Sequence, residues 1–188
     1  MRVLRRSTVV LACRAGLVAT AHSASASADG LMPFAGAWTR VEIESDDERR
    51  LSAIDRAVAG LSWMTRQVVA PILKSSTAPP AAYEFVVEAD RVWMRPTGEA
   101  LRALPLDGSS DSGDGPRGRY TRSARVVDGA IETRWQQSDA TGSNRYRVVD
   151  GTLLVVEHTI HVTRLEGVDP IQYESRFRRA PDVASAPR

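Results

Sequence analysis

Hydrophobic and polar residues alternate on both sides of an Asp-Gly pair at the centre of the segment 119–137. Both residues of such a pair tolerate the positive φ angles of a two-residue turn, so Asp128-Gly129 predicts a β-hairpin. Its apolar face carries Arg122 beside Tyr120 and Trp135. Because a guanidinium on an apolar face requires a polar partner, the pattern predicts a container with a polar contact inside. The predicted register has five pairs: Val126 with Ile131, Arg125 with Glu132, Ala124 with Thr133, Ser123 with Arg134, and Arg122 with Trp135.

A second alternating stretch, residues 144–164, surrounds Asp150-Gly151. A two-residue turn would mix apolar and polar side chains on one face, whereas a three-residue loop with Gly151 in the left-handed conformation keeps them apart. That loop pairs Tyr146 with Leu154 and Val148 with Thr152. The resulting apolar face comprises Tyr146, Val148, Leu154, Val156, His158, Ile160 and Val162. The last predicted strand, residues 171–179, has three residues on its more apolar face: Tyr173, Ser175 and Phe177.

The segment before these hairpins contains one strand pattern and two helical patterns. Residues 34–43 are predicted to form the first strand, and a capping box of Ser45 and Glu48 starts the first helix. A second helical pattern must kink or end near Pro71, because proline lacks an amide hydrogen. The apolar residues that recur at helical spacing are Leu51, Ile54, Val58 and Leu61 in the first helix, predicted to pack on the sheet, and Met64, Val68 and Ile72 in the second.

From Tyr83 onward the hydrophobic period is two, with a turn at Asp90-Arg91 and a short strand from Glu99 to Leu104. The Gly/Ser/Asp-rich segment 107–118 is predicted to be a mobile loop. About eight to ten strands joined by tight turns indicate a mainly β fold, an antiparallel up-and-down β-barrel with a helix-turn-helix lid after the first strand. Closure of such a barrel removes exposed strand edges.

The two ends of the chain differ from the predicted barrel domain, residues 29–180. Residues 1–28 have the pattern of a secretory signal peptide, with three arginines before apolar runs and an A-x-A cleavage site at Ala26-Ser27-Ala28. Residues 181–188 are predicted to be a disordered tail. The mature protein is therefore expected to be secreted or periplasmic.

Removal of residues 1–28 changes the charge of the chain. They contain four arginines and no acidic residue, so the formal net charge falls from +2 to −2 without them. A net negative domain gives no argument for binding nucleic acid. The single cysteine, Cys13, leaves with this segment, which excludes disulfide and thiol chemistry in the mature protein. No run of about 18 apolar residues remains, so no transmembrane segment is predicted.

The order of these elements resembles the calycin group, which includes the lipocalins and the fatty-acid-binding proteins. Gly36-Ala37-Trp38 is similar to the Gly-x-Trp of the first calycin strand, and the helix-turn-helix is similar to the lid of the fatty-acid-binding proteins. Residues 146–157 resemble their penultimate hairpin, and residues 176–180 resemble their last strand. The resemblance implies a barrel for a small hydrophobic ligand. It also implies an inward Arg-x-Tyr that binds a carboxylate on the last strand, where this sequence has Ser175 and Phe177.

Arg122 is the sharpest candidate for a ligand contact. A guanidinium inside a barrel can bind a carboxylate or phosphate through two parallel hydrogen bonds, so Arg122 is a candidate relocated anion anchor. The alternative is structural: Arg122 pairs with an internal acid such as Glu99, or it stacks on Trp135.

His158 lies on the apolar face of its predicted strand. A histidine in that position is more often a hydrogen-bonded core residue than a catalyst. His161 has the opposite parity, so the two histidines cannot bind one metal ion on a regular strand. No metal site and no cofactor are predicted.

We therefore expect an exported, monomeric, lipocalin-like protein that binds and sequesters or carries a small hydrophobic or amphipathic ligand inside a β-barrel. Two alternatives stay open. One is a small barrel enzyme, an isomerase or hydrolase, that uses His158 and Tyr120, and the other is a filled barrel that binds or inhibits a protein through the segment 107–118. The candidate ligand-binding residues are Tyr120, Arg122, Trp135, Tyr146, His158, Tyr173 and Phe177.

Overall fold

The computed structural model describes residues 28–88, 91–115 and 118–181. Apart from Ala28 and Pro181, the predicted signal peptide and C-terminal tail lie outside these residues. The helical elements are α1 (Ala28–Leu31), a 3-10 turn (Met32–Phe34), α2 (Ile43–Ala57) and α3 (Trp63–Ser76). The strands are β1 (Gly36–Val41), β2 (Ala82–Glu88), β3 (Arg91–Pro96), β4 (Arg102–Leu104), β5 (Asp107–Gly115), β6 (Gly118–Val127), β7 (Ala130–Gln136), β8 (Ala140–Val149), β9 (Leu153–Val162) and β10 (Ile171–Arg179).

The ten strands form one antiparallel sheet in the order β4-β3-β2-β1-β10-β9-β8-β7-β6-β5. Strand β1 lies between β2 and β10, so the first strand is paired with the last. Among the described residues, no backbone ladder joins β4 to β5, the two ends of the order. The sheet curls into a barrel that is open between β4 and β5, and side chains from β1–β4 and β6–β10 share one core. The prediction of a mainly β, up-and-down barrel with two helices after the first strand is confirmed.

The central hairpin has the predicted register, with Arg122 opposite Trp135 and Val126 opposite Ile131. Asp128 and Gly129 adopt φ angles of 51° and 72°, as the tight turn requires. On the outer face, Arg125 Nε and Nη2 donate to Glu132 Oε2 at 3.0 and 2.7 Å.

The second hairpin has the predicted three-residue loop in a different position. Val149 pairs with Leu153, and Tyr146 lies opposite Val156 instead of Leu154. Asp150 and Gly151 both have positive φ angles, so the loop begins at Asp150, one residue later than predicted. The register therefore differs by two residues, an even shift that leaves every side chain on its predicted face.

The prediction of a mobile loop at 107–118 is wrong, because residues 107–115 form strand β5 against β6. Glycine, serine and aspartate have low strand propensity, but backbone pairing with a neighbouring strand overrides that preference. An irregularity between Asp107 and Ser110 adjusts the register, and Gly108, with φ of 82°, lies inside it.

The first strand and first helix meet earlier than predicted. Strand β1 ends at Val41, and α2 begins at Ile43 after Glu42, which has a positive φ angle of 53°. The predicted cap is therefore inside the helix, where Ser45 Oγ donates to the carbonyl oxygen of Glu42 at 3.2 Å. Arg40 lies two positions after Trp38 in β1, so its side chain shares the inward face with that of Trp38.

The two helices form a lid over one end of the barrel, and a second core, the lid cluster, lies beneath them. It contains seven buried residues: Ala53, Ile54, Ala57, Val58, Val69, Leu73 and Ile171. Helix α3 continues through Pro71 to Ser76. Its predicted apolar residues face away from the sheet, since Met64 is 75% exposed and Val68 and Ile72 are more than half exposed. Helix α3 has two neighbouring apolar stripes, and periodicity alone does not distinguish which one is buried.

The other end of the barrel is closed by a floor around Trp38. Trp38 Nε1 donates to the carbonyl oxygen of Phe34 at 2.8 Å. The guanidinium carbon of Arg179 lies 4.3 Å from the Trp38 ring centre. Arg179 also donates to the carbonyl oxygens of Pro33 at 2.6 Å, of Gly151 at 3.0 Å and of Ala35. One side chain therefore joins the N-terminal segment, the last strand and the 150–152 loop.

Replacement of Arg179 by methionine is expected to lower the free energy of unfolding by about 2–4 kcal/mol, because it removes three charge-assisted hydrogen bonds and a cation–π contact. Denaturant unfolding of Arg179→Met measures this loss. The exposed neighbour Arg178 supplies the control, since Arg178→Met is expected to change the stability by less than about 0.5 kcal/mol. Equal losses in the two variants would contradict the role of Arg179 in the floor.

Candidate functional site

All seven residues predicted to bind a ligand lie on the inward face of the sheet, because each shares the parity of a residue in one of the two cores. They fall into three groups by their surroundings. The floor group is Tyr146 and Phe177, the group near the lid is His158 and Tyr173, and the group near the β4–β5 gap is Tyr120, Arg122 and Trp135.

Tyr146 and Phe177 belong to the packed interior. Both are fully buried, and each packs against Tyr83, with ring centres 5.6 and 4.9 Å apart. Burial raises the pKa of Tyr146, so its hydroxyl stays protonated. Their contacts are those of residues that fill a core.

His158 is held by three neighbours on the two adjacent strands, β8 and β10. Its Nδ1 lies 2.8 Å from Asn144 Oδ1, its Nε2 lies 2.8 Å from Ser175 Oγ, and its ring stacks on Tyr173 at 4.5 Å. Burial and the nearby positive charge of Arg40 lower the pKa of His158 to about 3, so the ring is neutral at pH 7.

The order Ser175–His158–Asn144 has the connectivity of a nucleophile, a base and an orienting group. Ser175, however, has no exposed surface. A histidine with a pKa of about 3 is a weak general base near neutral pH. These observations favour a structural hydrogen-bond chain, in agreement with the interpretation of His158 as a core residue.

The lid is tied to the sheet by polar contacts next to His158. The Tyr173 hydroxyl donates to the carbonyl oxygen of Thr77, at the end of α3, at 2.5 Å. From α2, Arg50 Nη1 donates to the carbonyl oxygen of Lys74 at 2.7 Å and to Thr77 Oγ1 at 3.3 Å. Both lid helices are therefore fixed over this end of the barrel.

Arg40 is a buried cation that the sequence interpretation missed. Its Nη2 donates to Asp47 Oδ1 at 2.8 Å, and its Nε lies 3.6 Å from Asp46 Oδ2. Burial alone would raise the pKa of Asp47, but the hydrogen bonds and charges of Arg40 and Arg50 lower it. The available signal was parity with Trp38, which places Arg40 inside.

Arg122 forms an ion pair with Asp111 and not with Glu99, the internal acid that the structural alternative named. Its Nη2 donates to Asp111 Oδ2 and to the carbonyl oxygen of Ala103, each at 3.0 Å. The side chain of Arg122 is only 11% exposed, whereas that of Asp111 is 47% exposed. Nε of Arg122 is buried and has no hydrogen-bond partner among the described residues. The guanidinium therefore retains an unused donor inside the barrel.

Trp135 lies beside Arg122 and packs on bare backbone. A Cβ placed on Gly142 would lie 2.4 Å from Trp135 Cζ2 and 2.8 Å from the carbonyl oxygen of Thr159. Only glycine leaves room for the indole at this position. Gly142 thus determines how closely the indole lies against the barrel wall.

Two surface depressions lie outside this interior. One, of about 450 Å³, is lined mainly by residues that alternate with the inward-facing ones, namely Ser110, Thr121, Ser123, Arg134, Gln136, Thr141, Ser143 and His161. The other, of about 470 Å³, follows residues 40–45 from β1 into α2. Of the predicted site residues, only Arg122 and Trp135 also border the first depression.

No described helix combines the length and apolar character needed to cross a membrane. The described part of the chain brings together no group of three or more His, Cys, Asp or Glu side chains that could hold a metal ion.

No family model matches this chain, and no curated protein sequence matches it. A secretory abundant heat soluble protein from Ramazzottius varieornatus matches its structure with a TM-score of 0.51 and 9% identity, over 79% of this chain and 96% of that chain. A fatty-acid-binding protein from Drosophila melanogaster brain tissue has a TM-score of 0.43 and 14% identity, over 78% and 99% of the two chains. The fluorescent protein UnaG has a TM-score of 0.48 and 13% identity, over 80% and 99%.

Identities this low bear on the fold alone. Together with the strand order and the helical pair after β1, the likeness to the secretory abundant heat soluble protein shows the fold of this chain, an antiparallel up-and-down β-barrel with two helices after the first strand.

Proposed function

We propose that this protein is exported through residues 1–28 and binds a small amphipathic molecule inside the barrel, between the floor and the lid. The observation that carries the proposal is Arg122, a guanidinium on the inward face with 11% of its side chain exposed and a buried Nε that has no hydrogen-bond partner in the described part of the chain. A buried cation with an unused donor is costly unless a further group satisfies it. A ligand with a polar end supplies that group.

The apolar part of the ligand is assigned to the aromatic residues near Arg122. Tyr120 is on the same strand as Arg122, and Trp135 is opposite it in the ladder. Burial of about 200 Å² of apolar ligand surface contributes about 5 kcal/mol at about 25 cal/mol per Å². The ligand is thereby sequestered from water, and Arg122 sets its orientation.

The remaining predicted residues are assigned to the barrel interior around the ligand. Tyr146 and Phe177 form its floor side, and His158 and Tyr173 form its lid side. His158 is assigned no direct contact with the ligand, since Asn144 and Ser175 occupy both ring nitrogens.

Native mass spectrometry of the protein purified after expression of the full sequence tests this proposal. We expect an intact mass that corresponds to cleavage after Ala28, and a bound small molecule or, after its removal, binding of a hydrophobic dye. Arg122→Met is expected to weaken the binding of an anionic amphipathic dye at least tenfold, because a charge-assisted contact is lost.

Arg119 provides the control, since it is an exposed arginine on the same strand as Arg122. Arg119→Met removes the same charge and is expected to leave dye binding unchanged. If the wild-type protein neither carries a small molecule nor binds the dye, the ligand-binding proposal is wrong. If the wild-type protein binds the dye and Arg122→Met binds it with the same affinity, the barrel binds ligands without this anchor.

A further inference from the structure

Side chains from both sides cross the gap between β4 and β5. From β6, Arg122 Nη2 reaches the carbonyl oxygen of Ala103 on β4 at 3.0 Å. From β4, the guanidinium carbon of Arg102 lies 5.5 Å from the ring centre of Tyr120 on β6. Two arginines therefore extend across the gap in opposite directions, where no backbone ladder joins the strands in the described part of the sheet.

Arg102 faces the interior, because it pairs with the buried residue Met94. A Cβ placed on Gly113 of β5 would lie 2.8 Å from Tyr120 Oη and 3.3 Å from Arg102 Nη1. The hydroxyl and the guanidinium thus converge on the same stretch of bare backbone. Glycine at this position keeps the space between them free of a side chain.

The charges at the gap are unbalanced. Arg122 is paired with Asp111, a carboxylate that is nearly half exposed. Among the described residues, no carboxylate lies within 4.0 Å of Arg102. Two guanidinium groups and one carboxylate leave one surplus positive charge, and the buried Nε of Arg122 adds an unused donor.

We propose that Arg102, Arg122 and the Tyr120 hydroxyl bind the head group of the ligand, and that this head group is a monoanionic oxyanion such as a carboxylate or sulfate. This inference rests on the proposed function, since the apolar part of the same ligand occupies the barrel. One negative charge neutralises the surplus positive charge. The planar N–H pairs of guanidinium groups match the paired oxygens of such an anion.

Binding of the head group also changes the sheet. An oxyanion held by Arg102 of β4 and Arg122 of β6 joins the two sides of the gap through hydrogen bonds. The ligand therefore adds a second link across the gap to the Arg122–Ala103 hydrogen bond that is already present.

Three probes with the same ten-carbon chain test the head-group site: decyl sulfate, decanol and decyltrimethylammonium, each below its critical micelle concentration. Displacement of a neutral hydrophobic dye from the protein expressed from the full sequence gives their Kd values. We expect decyl sulfate to bind at least tenfold more tightly than decanol, and decyltrimethylammonium to bind most weakly. In Arg102→Met, the Kd of decyl sulfate should rise to that of decanol, while the Kd of decanol stays the same.

Two further variants keep the test independent of folding. Arg102→Lys retains the charge and should retain part of the preference for sulfate, whereas Arg119→Met, an exposed control on β6, should retain all of it. Hydrogen exchange supplies a second readout, since decyl sulfate but not decanol should slow amide exchange in β4. If Arg102→Met unfolds without a cooperative thermal transition, Arg102→Lys takes its place in the comparison.

The outcomes separate the two proposals. Equal Kd values for decyl sulfate and decanol, unchanged in Arg102→Met, overturn the head-group site and leave ligand binding in the barrel intact. Failure of all three probes to bind the wild-type protein overturns the proposed function and, with it, this inference. A sulfate preference that Arg102→Met abolishes and Arg119→Met preserves supports both.

Discussion

Acidification from pH 7 to pH 4 is expected to lower the free energy of unfolding by several kcal/mol, because His158 stays neutral in the folded protein. Its pKa is about 3 in the fold and about 6.5 in the unfolded chain. Between these values the unfolded state binds a proton that the folded state does not, so stability decreases as the pH falls. Each unit of difference corresponds to about 1.4 kcal/mol.

The physical cause is the set of groups that face the imidazole. Asn144, Ser175 and Tyr173 contact the imidazole. The charged group that changes its pKa is the cation Arg40. None of these is a carboxylate that would stabilise a protonated ring. Burial therefore disfavours the protonated imidazole of His158, and none of these groups compensates with a negative charge.

Urea unfolding at pH 4, 5.5 and 7 measures the effect. His158→Gln, which cannot titrate, should flatten the pH dependence between pH 4 and 7. His161 lies on the same strand but is exposed, so His161→Gln should retain the wild-type slope. A full slope in His158→Gln would assign the pH dependence to other groups. Asp47 adds a further loss of stability at lower pH. Its pKa is lowered in the fold, so the stability that its ionised form contributes is lost as the pH falls through that lowered pKa.

Replacement of Asp46 by alanine is expected to destabilise the protein by about 3–5 kcal/mol, since it breaks a buried charge network from one side. The Asp46 carboxylate is fully buried and accepts the backbone N–H of Arg176 at 3.0 Å. It also accepts a hydrogen bond from Arg49 and lies 3.6 Å from Arg40 Nε. Without Asp46, helix α2 loses a polar contact with β10, and Asp47 is the one acidic partner that Arg40 keeps among the described residues.

Denaturant unfolding and limited proteolysis measure this prediction. Asp46→Asn preserves an oxygen that can accept from the Arg176 amide, so it should lose less stability than Asp46→Ala. Glu48, exposed on the same helix, supplies the control, and Glu48→Ala should change stability by less than about 0.5 kcal/mol. Proteolysis within residues 43–76 should accelerate in Asp46→Ala alone. Wild-type stability in Asp46→Ala would show that the network does not hold the lid.

The strands were predictable where a turn signal fixed the parity of the alternating pattern. Asp128-Gly129 determined the whole register of the central hairpin. At Asp150-Gly151 the loop is displaced by one residue, but the even shift in register preserved the faces, so His158 was correctly placed inside. Local sequence therefore predicted which side chains face inward.

The partners of those side chains were not predictable, because they come from distant segments. Asp111, the partner of Arg122, lies in a segment whose composition predicted a loop. Asn144 and Ser175 lie 14 and 17 residues from His158 in the sequence, and only the order of the strands brings them to it. Arg40 was missed because the first strand was extended into α2, which obscured its parity.

The pairing of β1 with β10 has a consequence for how the protein is made. Trp38 lies in the first strand to leave the ribosome, while its partner Arg179 ends the last strand. Until Ile171–Arg179 has been synthesised, β1 can pair only with β2, and the floor lacks its clamp. Such non-local pairing folds slowly and late. The barrel is completed only after translation of the domain has finished, so the nascent chain has no closed fold until its last strand has been made.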